Sequence, residues 1–225
     1  MWSNKPDFMI LVFDMDDTLY DELTYVRSGF TAVTRMLAPI CDASPAKLLS
    51  EMTNLLSAKG RGQVFDDLLA LYGQHSRALV ARCVKTYRHH KPQITLWPEA
   101  ADCLTRHQNL PIYVVSDGHK VAQNAKATAL GLQKWAKRIL LTHRFGIKNA
   151  KPSPYCFQRI TAWESARPSQ VVYIADNPAK DFVGLKKAGF KTIRVRSGQY
   201  ASIKAKPGHD AERTVDSLAE INFTT

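Results

Sequence analysis

Asp14 and Asp16 stand two residues apart in Asp14-Met15-Asp16-Asp17-Thr18-Leu19-Tyr20, directly after the apolar run Phe8-Met9-Ile10-Leu11-Val12-Phe13. Side chains alternate with period two in extended backbone, so a strand that ends acid-x-acid sets two carboxylates on one side of the chain. Carboxylates held that close call for a cation between them. One can then ligate a divalent metal or attack an electrophile, while the other exchanges protons with the reacting group. Such a pair suits a phosphate-handling site.

Three further segments carry compatible chemistry. Val114-Val115-Ser116-Asp117-Gly118 closes a second apolar run with a hydroxyl and a glycine, able to cradle a phosphoryl oxygen through Ser116 Oγ and backbone N–H groups. Lys151, in Ala150-Lys151-Pro152-Ser153-Pro154, offers a cation at a rigid turn before a helical pattern. Ile174-Ala175-Asp176-Asn177-Pro178-Ala179-Lys180-Asp181-Phe182 again ends an apolar run in acids. Each segment alone reads equally well as a polar strand-to-helix turn. All four in this order, each expected at the carboxyl end of a strand, carry far more weight than any one.

The elements that must position them follow from hydrophobic spacing. Strand-like runs fall at 8–13, 112–115, 139–141, 171–175 and 192–195, with helical patterns near 99–107, 120–130, 154–163 and 178–188. Gly131 and Gly189 stand where helix C-termini need them. Strands alternating with helices predict a mostly parallel sheet covered on both faces, whose ligands bind at the carboxyl ends of strands. Residues 21–93 break that rhythm. Their apolar spacing is helical throughout, as in Leu23, Val26, Phe30, Val33 and Leu37, and Ser44-Pro45 fits a helix cap and first turn. Four helices are expected there.

The 225 residues are 45% hydrophobic and 23% charged, ordinary for a globular protein with one large domain and an insert. No run is long enough to cross a bilayer, and the apolar start is too short for a signal peptide, so the expected location is cytoplasmic. Cys41, Cys83, Cys103 and Cys156 are scattered, which fits reduced core cysteines better than zinc or disulfides. A net charge of +11 invites a nucleic-acid reading. The basic residues are dispersed, though, and the densest patch, Arg88-His89-His90-Lys91, sits near a helix end where cations favour the macrodipole. A solvated basic surface that steers anionic substrates is the preferred account.

In order along the chain the four segments give a carboxylate pair, a hydroxyl, a lysine and a second carboxylate pair. That order resembles the haloacid dehalogenase-like hydrolase superfamily over roughly residues 8–200, in the branch with a helical cap of the first type. The resemblance implies a Rossmann-like α/β fold, a doubly wound parallel sheet with an inserted four-helix cap. It places the catalytic core at residues 1–20 and 94–225 and the cap at 21–93. It implies a Mg²⁺-dependent phosphatase in which Asp14 is the nucleophile and Asp16 the general acid and base. Mg²⁺ would be held by Asp14, the main-chain carbonyl of Asp16, and Asp176. Ser116, Lys151 and the backbone of Asp117 and Gly118 would bind the phosphoryl group. Thr18 would buttress its turn through a bond to backbone, and Asp181 would act through water or by orienting Lys151. Solvated surface is expected for His119, Lys120, Gln123 and Lys180.

The implied partner is a small phosphorylated metabolite of the sugar-phosphate or nucleotide-monophosphate class, with neither nucleic acid nor membrane, acting as a monomer or weak homodimer. Ala175 stands where the family usually has glycine. Dehalogenation, which lacks the second acid of the pair, is disfavoured by Asp16, Asp176 and Asp181. Phosphomutase chemistry, a phosphatase of nucleic-acid ends and a non-catalytic nucleic-acid binder on the same fold remain alternatives.

Overall fold

Short runs rich in Val and Ile form the strands β1 (Ile10–Phe13), β2 (Ile112–Ser116), β3 (Arg138–Leu141), β4 (Val171–Ala175), β5 (Lys191–Val195) and β6 (Arg213–Val215). The computed structural model describes residues 9–223, so Phe8, the first residue of the expected first strand, lies outside the described residues. All strand pairs are parallel, and the order across the sheet is β3-β2-β1-β4-β5-β6. This is the Rossmann-like doubly wound α/β arrangement. Every residue of β1, β2 and β4 is buried, as in strands covered on both faces.

The helices are α1 (Glu22–Cys41), α2 (Pro45–Lys59), α3 (Val64–Leu71), α4 (Arg77–His89), α5 (Pro98–Arg106), α6 (Lys120–Ala129), α7 (Tyr155–Trp163) and α8 (Val183–Lys187). On one sheet face Ile10, Val12, Val115, Val171 and Tyr173 pack with Phe157 and Ile160 of α7 and Leu185 of α8. Burial of each such side chain is worth about 1.5–3 kcal/mol. The carboxyl end of β1 meets that of β4 where the winding reverses, with Phe13 opposite Ile174, and the Asp14 N–H extends the ladder by donating to the Ile174 carbonyl at 2.9 Å. A crevice outside the strand ends is expected at such a reversal.

Contacts divide the chain into two compact units, one running up to Glu22 and again from Thr95, the other Leu23–Ile94. In the second, α1–α4 bury Phe30, Val33, Leu37, Leu48, Met52, Leu68, Leu69 and Cys83 around a core of their own. Ser44 caps α2 as its sequence suggests, its Oγ accepting the Lys47 N–H at 3.2 Å, with Pro45 in the first turn. All four cysteines are free and buried. No helix among the described residues is long and apolar enough to cross a membrane.

Two elements depart from the sequence reading. β6 is an unforeseen sixth strand, three residues long with Arg213 exposed, too short to show a period. The helix expected over 178–188 is confined to Val183–Lys187, because Asn177 Oδ1 takes the Ala179 N–H and Asp181 Oδ2 takes the Asn177 N–H. Those side-chain bonds stabilise a turn in place of the first helical turns.

Candidate active site

The turn after β1 sends its two acids in different directions. Asp14, buried, accepts the Lys151 ammonium on Oδ2 at 2.8 Å and the Met15 N–H on Oδ1 at 2.8 Å. Asp16 turns away from that cation. Its Oδ1 accepts the Tyr20 hydroxyl at 2.6 Å and the Lys126 ammonium at 2.8 Å, and its Oδ2 accepts Gln123 Nε2 at 2.7 Å.

Lys151 reaches the site from beyond β3, after two 3₁₀ turns at Thr142–Phe145 and Ile147–Asn149, and so does not follow directly on a strand end as expected. Its Nζ lies 2.9 Å from Asp181 Oδ1 and donates to Tyr173 Oη at 2.9 Å, while the Tyr173 hydroxyl donates to Asp181 Oδ1 at 3.2 Å. Asp181 therefore orients Lys151 by direct contact. Gly184 makes the approach of α8 possible: a Cβ there would fall 1.9 Å from the Pro152 carbonyl oxygen, so the residue next to Lys151 sits against bare backbone.

Asp176 follows β4 as Asp14 follows β1, and its Oδ1 accepts the Thr18 hydroxyl at 3.2 Å. Thr18 thus braces the Asp176 carboxyl group across the turn, where a bond to backbone was expected. Oxygens of Asp14, Asp176 and Asp181, all buried, lie within 4.8 Å of one another. Asp16 does not contribute its carboxylate to this group, since Lys126, Tyr20 and Gln123 hold it elsewhere.

Ser116 ends β2, fully buried, and its Oγ accepts Gln123 Nε2 at 2.7 Å. The Asp117 carboxylate accepts the Thr142 hydroxyl at 2.6 Å and the Lys151 N–H at 3.2 Å, so it ties the lysine turn to this loop. Gly118 follows with φ of 132°, a conformation open to glycine, and a Cβ there would press on the Gln123 side chain at 3.1 Å. Gln123, expected at the surface, is buried; the first turns of α6 lie against the strand ends. Lys126, one helical step further on the same face, was not anticipated at all. The signal available was its i, i+3 spacing from Gln123 after the Ser116 loop.

The electrostatics separate the two acids. Burial pushes the Asp14 carboxyl up, Lys151 offsets part of that, and it stands at about 6. Burial and then the charges of Asp14 and Asp181 raise Asp176 to about 9. Burial also acts upward on Asp16, but the Lys126 charge and the bonds from Lys126, Tyr20 and Gln123 outweigh it and hold the group below the ordinary carboxylate value. Lys151 is raised well above the ordinary lysine value, because attraction to Asp14 and Asp181 exceeds the burial penalty.

Three buried carboxylates against one lysine leave a surplus of negative charge, and the donors are oxygen only. That set fits a hard divalent cation such as Mg²⁺.

Known proteins resemble this chain in sequence and in fold. A glyceraldehyde 3-phosphate phosphatase of Methanocaldococcus jannaschii is 25% identical over 220 residues, covering 94% of each chain. One of Methanopyrus kandleri is 26% identical over 209 residues, covering 89% of each. Among solved structures, a HAD-hydrolase of Bacillus subtilis bound to magnesium superposes with a TM-score of 0.66 at 18% identity, over 95% of this chain and 96% of that one, a likeness of fold. The sequence model of one family, described as haloacid dehalogenase-like hydrolase, matches residues 8–189, which takes in all four segments of the site. The chain belongs to the haloacid dehalogenase-like hydrolases.

Proposed function

We propose that this chain hydrolyses a small phosphomonoester with the help of Mg²⁺, by way of an aspartyl-phosphate on Asp14. One observation carries the reading: within a single turn Asp14 joins the buried acidic set beside Lys151, while Asp16 faces its own donors next to Ser116. Two carboxylates in different environments can serve as nucleophile and proton carrier.

Asp14 attacks phosphorus. Asp16 takes up a proton as the negatively charged phosphate enters beside it, gives that proton to the leaving oxygen as the bond to phosphorus breaks, then takes one from the water that cleaves the aspartyl-phosphate. Lys151, the Ser116 hydroxyl and the backbone N–H groups of Asp117 and Gly118 bind the phosphoryl oxygens as charge spreads over them. Asp14, Asp176 and Asp181 would hold Mg²⁺, with the Asp16 main-chain carbonyl as a further ligand. The metal would supply positive charge to the transferring group. Thr18 keeps Asp176 in place, and Asp181 keeps Lys151 in place.

The substrate is a soluble phosphorylated metabolite, of the sugar-phosphate or nucleotide-monophosphate class. The two archaeal relatives named for glyceraldehyde 3-phosphate favour the sugar-phosphate side. Residues 21–93 act as the cap that selects it. The four free, buried cysteines support a reducing, cytoplasmic setting, and a monomer or weak homodimer is the working form. A panel of phosphorylated metabolites assayed for phosphate release, with Mg²⁺ and with chelator, tests the reading. Release confined to the Mg²⁺ arm and strongest for small monophosphates supports it; equal release in both arms refutes it.

A further inference from the structure

A carboxylate offers about four acceptor positions, two on each oxygen. At Asp16 three are taken among the described residues: Lys126 Nζ and Tyr20 Oη both reach Oδ1, and Gln123 Nε2 reaches Oδ2. A single position remains, on Oδ2. The Asp16 side chain keeps 20% of its surface exposed, so that position is within reach of a substrate or a water.

We infer that Asp16 Oδ2 is the oxygen that gives and takes the proton, and that Gln123 and Lys126 are the positioning residues that select it, an assignment resting on the phosphatase reading above. Lys126 is built in for this. Its side chain is 4% exposed, and its ammonium is held between Asp16 Oδ1 at 2.8 Å and Glu22 Oε1 at 3.2 Å. With Tyr20 it fills the lone pairs of Oδ1 and turns the carboxylate so that Oδ2 faces Gln123.

Gln123 adds a second link. One amide N–H goes to Asp16 Oδ2 and the other to Ser116 Oγ, both at 2.7 Å. The opposite amide orientation would set Oε1 against a carboxylate oxygen, so the contact with Asp16 fixes which end of the amide faces in. Ser116 Oγ, accepting from Gln123, has its own hydrogen left to donate to a phosphoryl oxygen. A single amide therefore orients the proton carrier and the phosphate-binding hydroxyl together. The bare backbone at Gly118 leaves the room that the Gln123 side chain occupies.

The test compares an aryl phosphate, whose leaving group needs little protonation, with a primary alkyl phosphate, whose leaving group needs it fully. Gln123→Met, Lys126→Met and Lys126→Arg are assayed with Mg²⁺ beside wild type and Asp16→Asn. Gln123→Met and Lys126→Met should lose at least about tenfold more kcat on the alkyl than on the aryl substrate, within the about 10²–10⁴-fold range of general acid–base help. Lys126→Arg should recover part of that difference, and Gln123→Met should also weaken inhibition by inorganic phosphate. Equal losses on both substrates, or no loss, would overturn the assignment. Should Lys126→Met not fold, Gln123→Met and Lys126→Arg decide the matter. If Asp16→Asn discriminates between the substrates and the other variants do not, this assignment alone fails. If Asp16→Asn itself does not discriminate, the proton-transfer reading fails with it.

Discussion

The Lys151 ammonium lies 2.8 Å from Asp14 Oδ2, so the cation that would receive the phosphoryl group already sits against the proposed nucleophile. The same nitrogen is 2.9 Å from Asp181 Oδ1, which makes it the positive centre of a buried acidic group.

Removing that cation should be felt first in stability. Lys151→Met leaves Asp14, Asp176 and Asp181 facing one another, and breaking a buried pair from one side costs about 3–5 kcal/mol. Thermal unfolding of chelated protein should show a much lower Tm at pH 8 than wild type, and a smaller difference at pH 5, where the acids take up protons. An unchanged Tm at pH 8 would mean that Lys151 is not the counter-charge.

Asp176 gives a pH dependence of definite sign. Asp14 stands at about 6 and Asp176 at about 9 in the fold, both above the ordinary 3.8. The folded protein without metal therefore binds more protons than the unfolded chain. Stability from these groups is fully present below about pH 4 and is lost as pH rises through 6 and on through 9. Asp176→Asn should raise the Tm of chelated protein at pH 8, on a scale of about 2–4 °C per kcal/mol for a chain of this size. Mg²⁺ should raise the wild-type Tm more than that of the variant.

Gly184 predicts a remote effect on the lysine. Alanine there would place its Cβ 1.9 Å from the Pro152 carbonyl oxygen, so α8 or the lysine turn must move. Such overpacking costs about 1–3 kcal/mol. Gly184→Ala should lower the unfolding free energy by that amount, with a Tm lower by about 2–4 °C for each kcal/mol, and reduce phosphatase turnover, whereas full activity would show that the turn tolerates displacement.

Strand ends were the legible part of the sequence. Unbroken apolar runs closing on Asp14, Ser116 and Asp176 announced the sheet and its ligand side together, because buried parallel strands need no polar face. β6 escaped notice since three residues with Arg213 exposed show no period. The turn before α8 looks helical in the sequence, because its stability comes from side-chain bonds by Asn177 and Asp181 that compete with the backbone ladder. Gln123 and Lys126 look like surface positions in the sequence but are buried in the fold. Their role depends on which way Asp16 turns, and that rotation is settled by Lys126, Tyr20 and Gln123 acting together, across more than a hundred residues of chain.

The +11 charge makes nucleic acid the natural rival partner. A protein that grips several backbone phosphates loses oligonucleotide affinity steeply with salt as counterions are released. Weak oligonucleotide binding at physiological salt is expected here, with soluble monophosphates turned over better than phosphorylated DNA ends. Submicromolar binding coupled to efficient end dephosphorylation would reverse that choice.

The covalent route through Asp14 is the central claim, and rapid acid quench with a ³²P-labelled aryl phosphate addresses it directly. In the presence of Mg²⁺, label should appear on the protein as an acid-stable, hydroxylamine-sensitive acyl phosphate that maps to Asp14, should be lost in Asp14→Asn, and should not form with chelator. Phosphate release by the wild type with no labelled protein at any time, together with turnover retained in Asp14→Asn, would contradict the account.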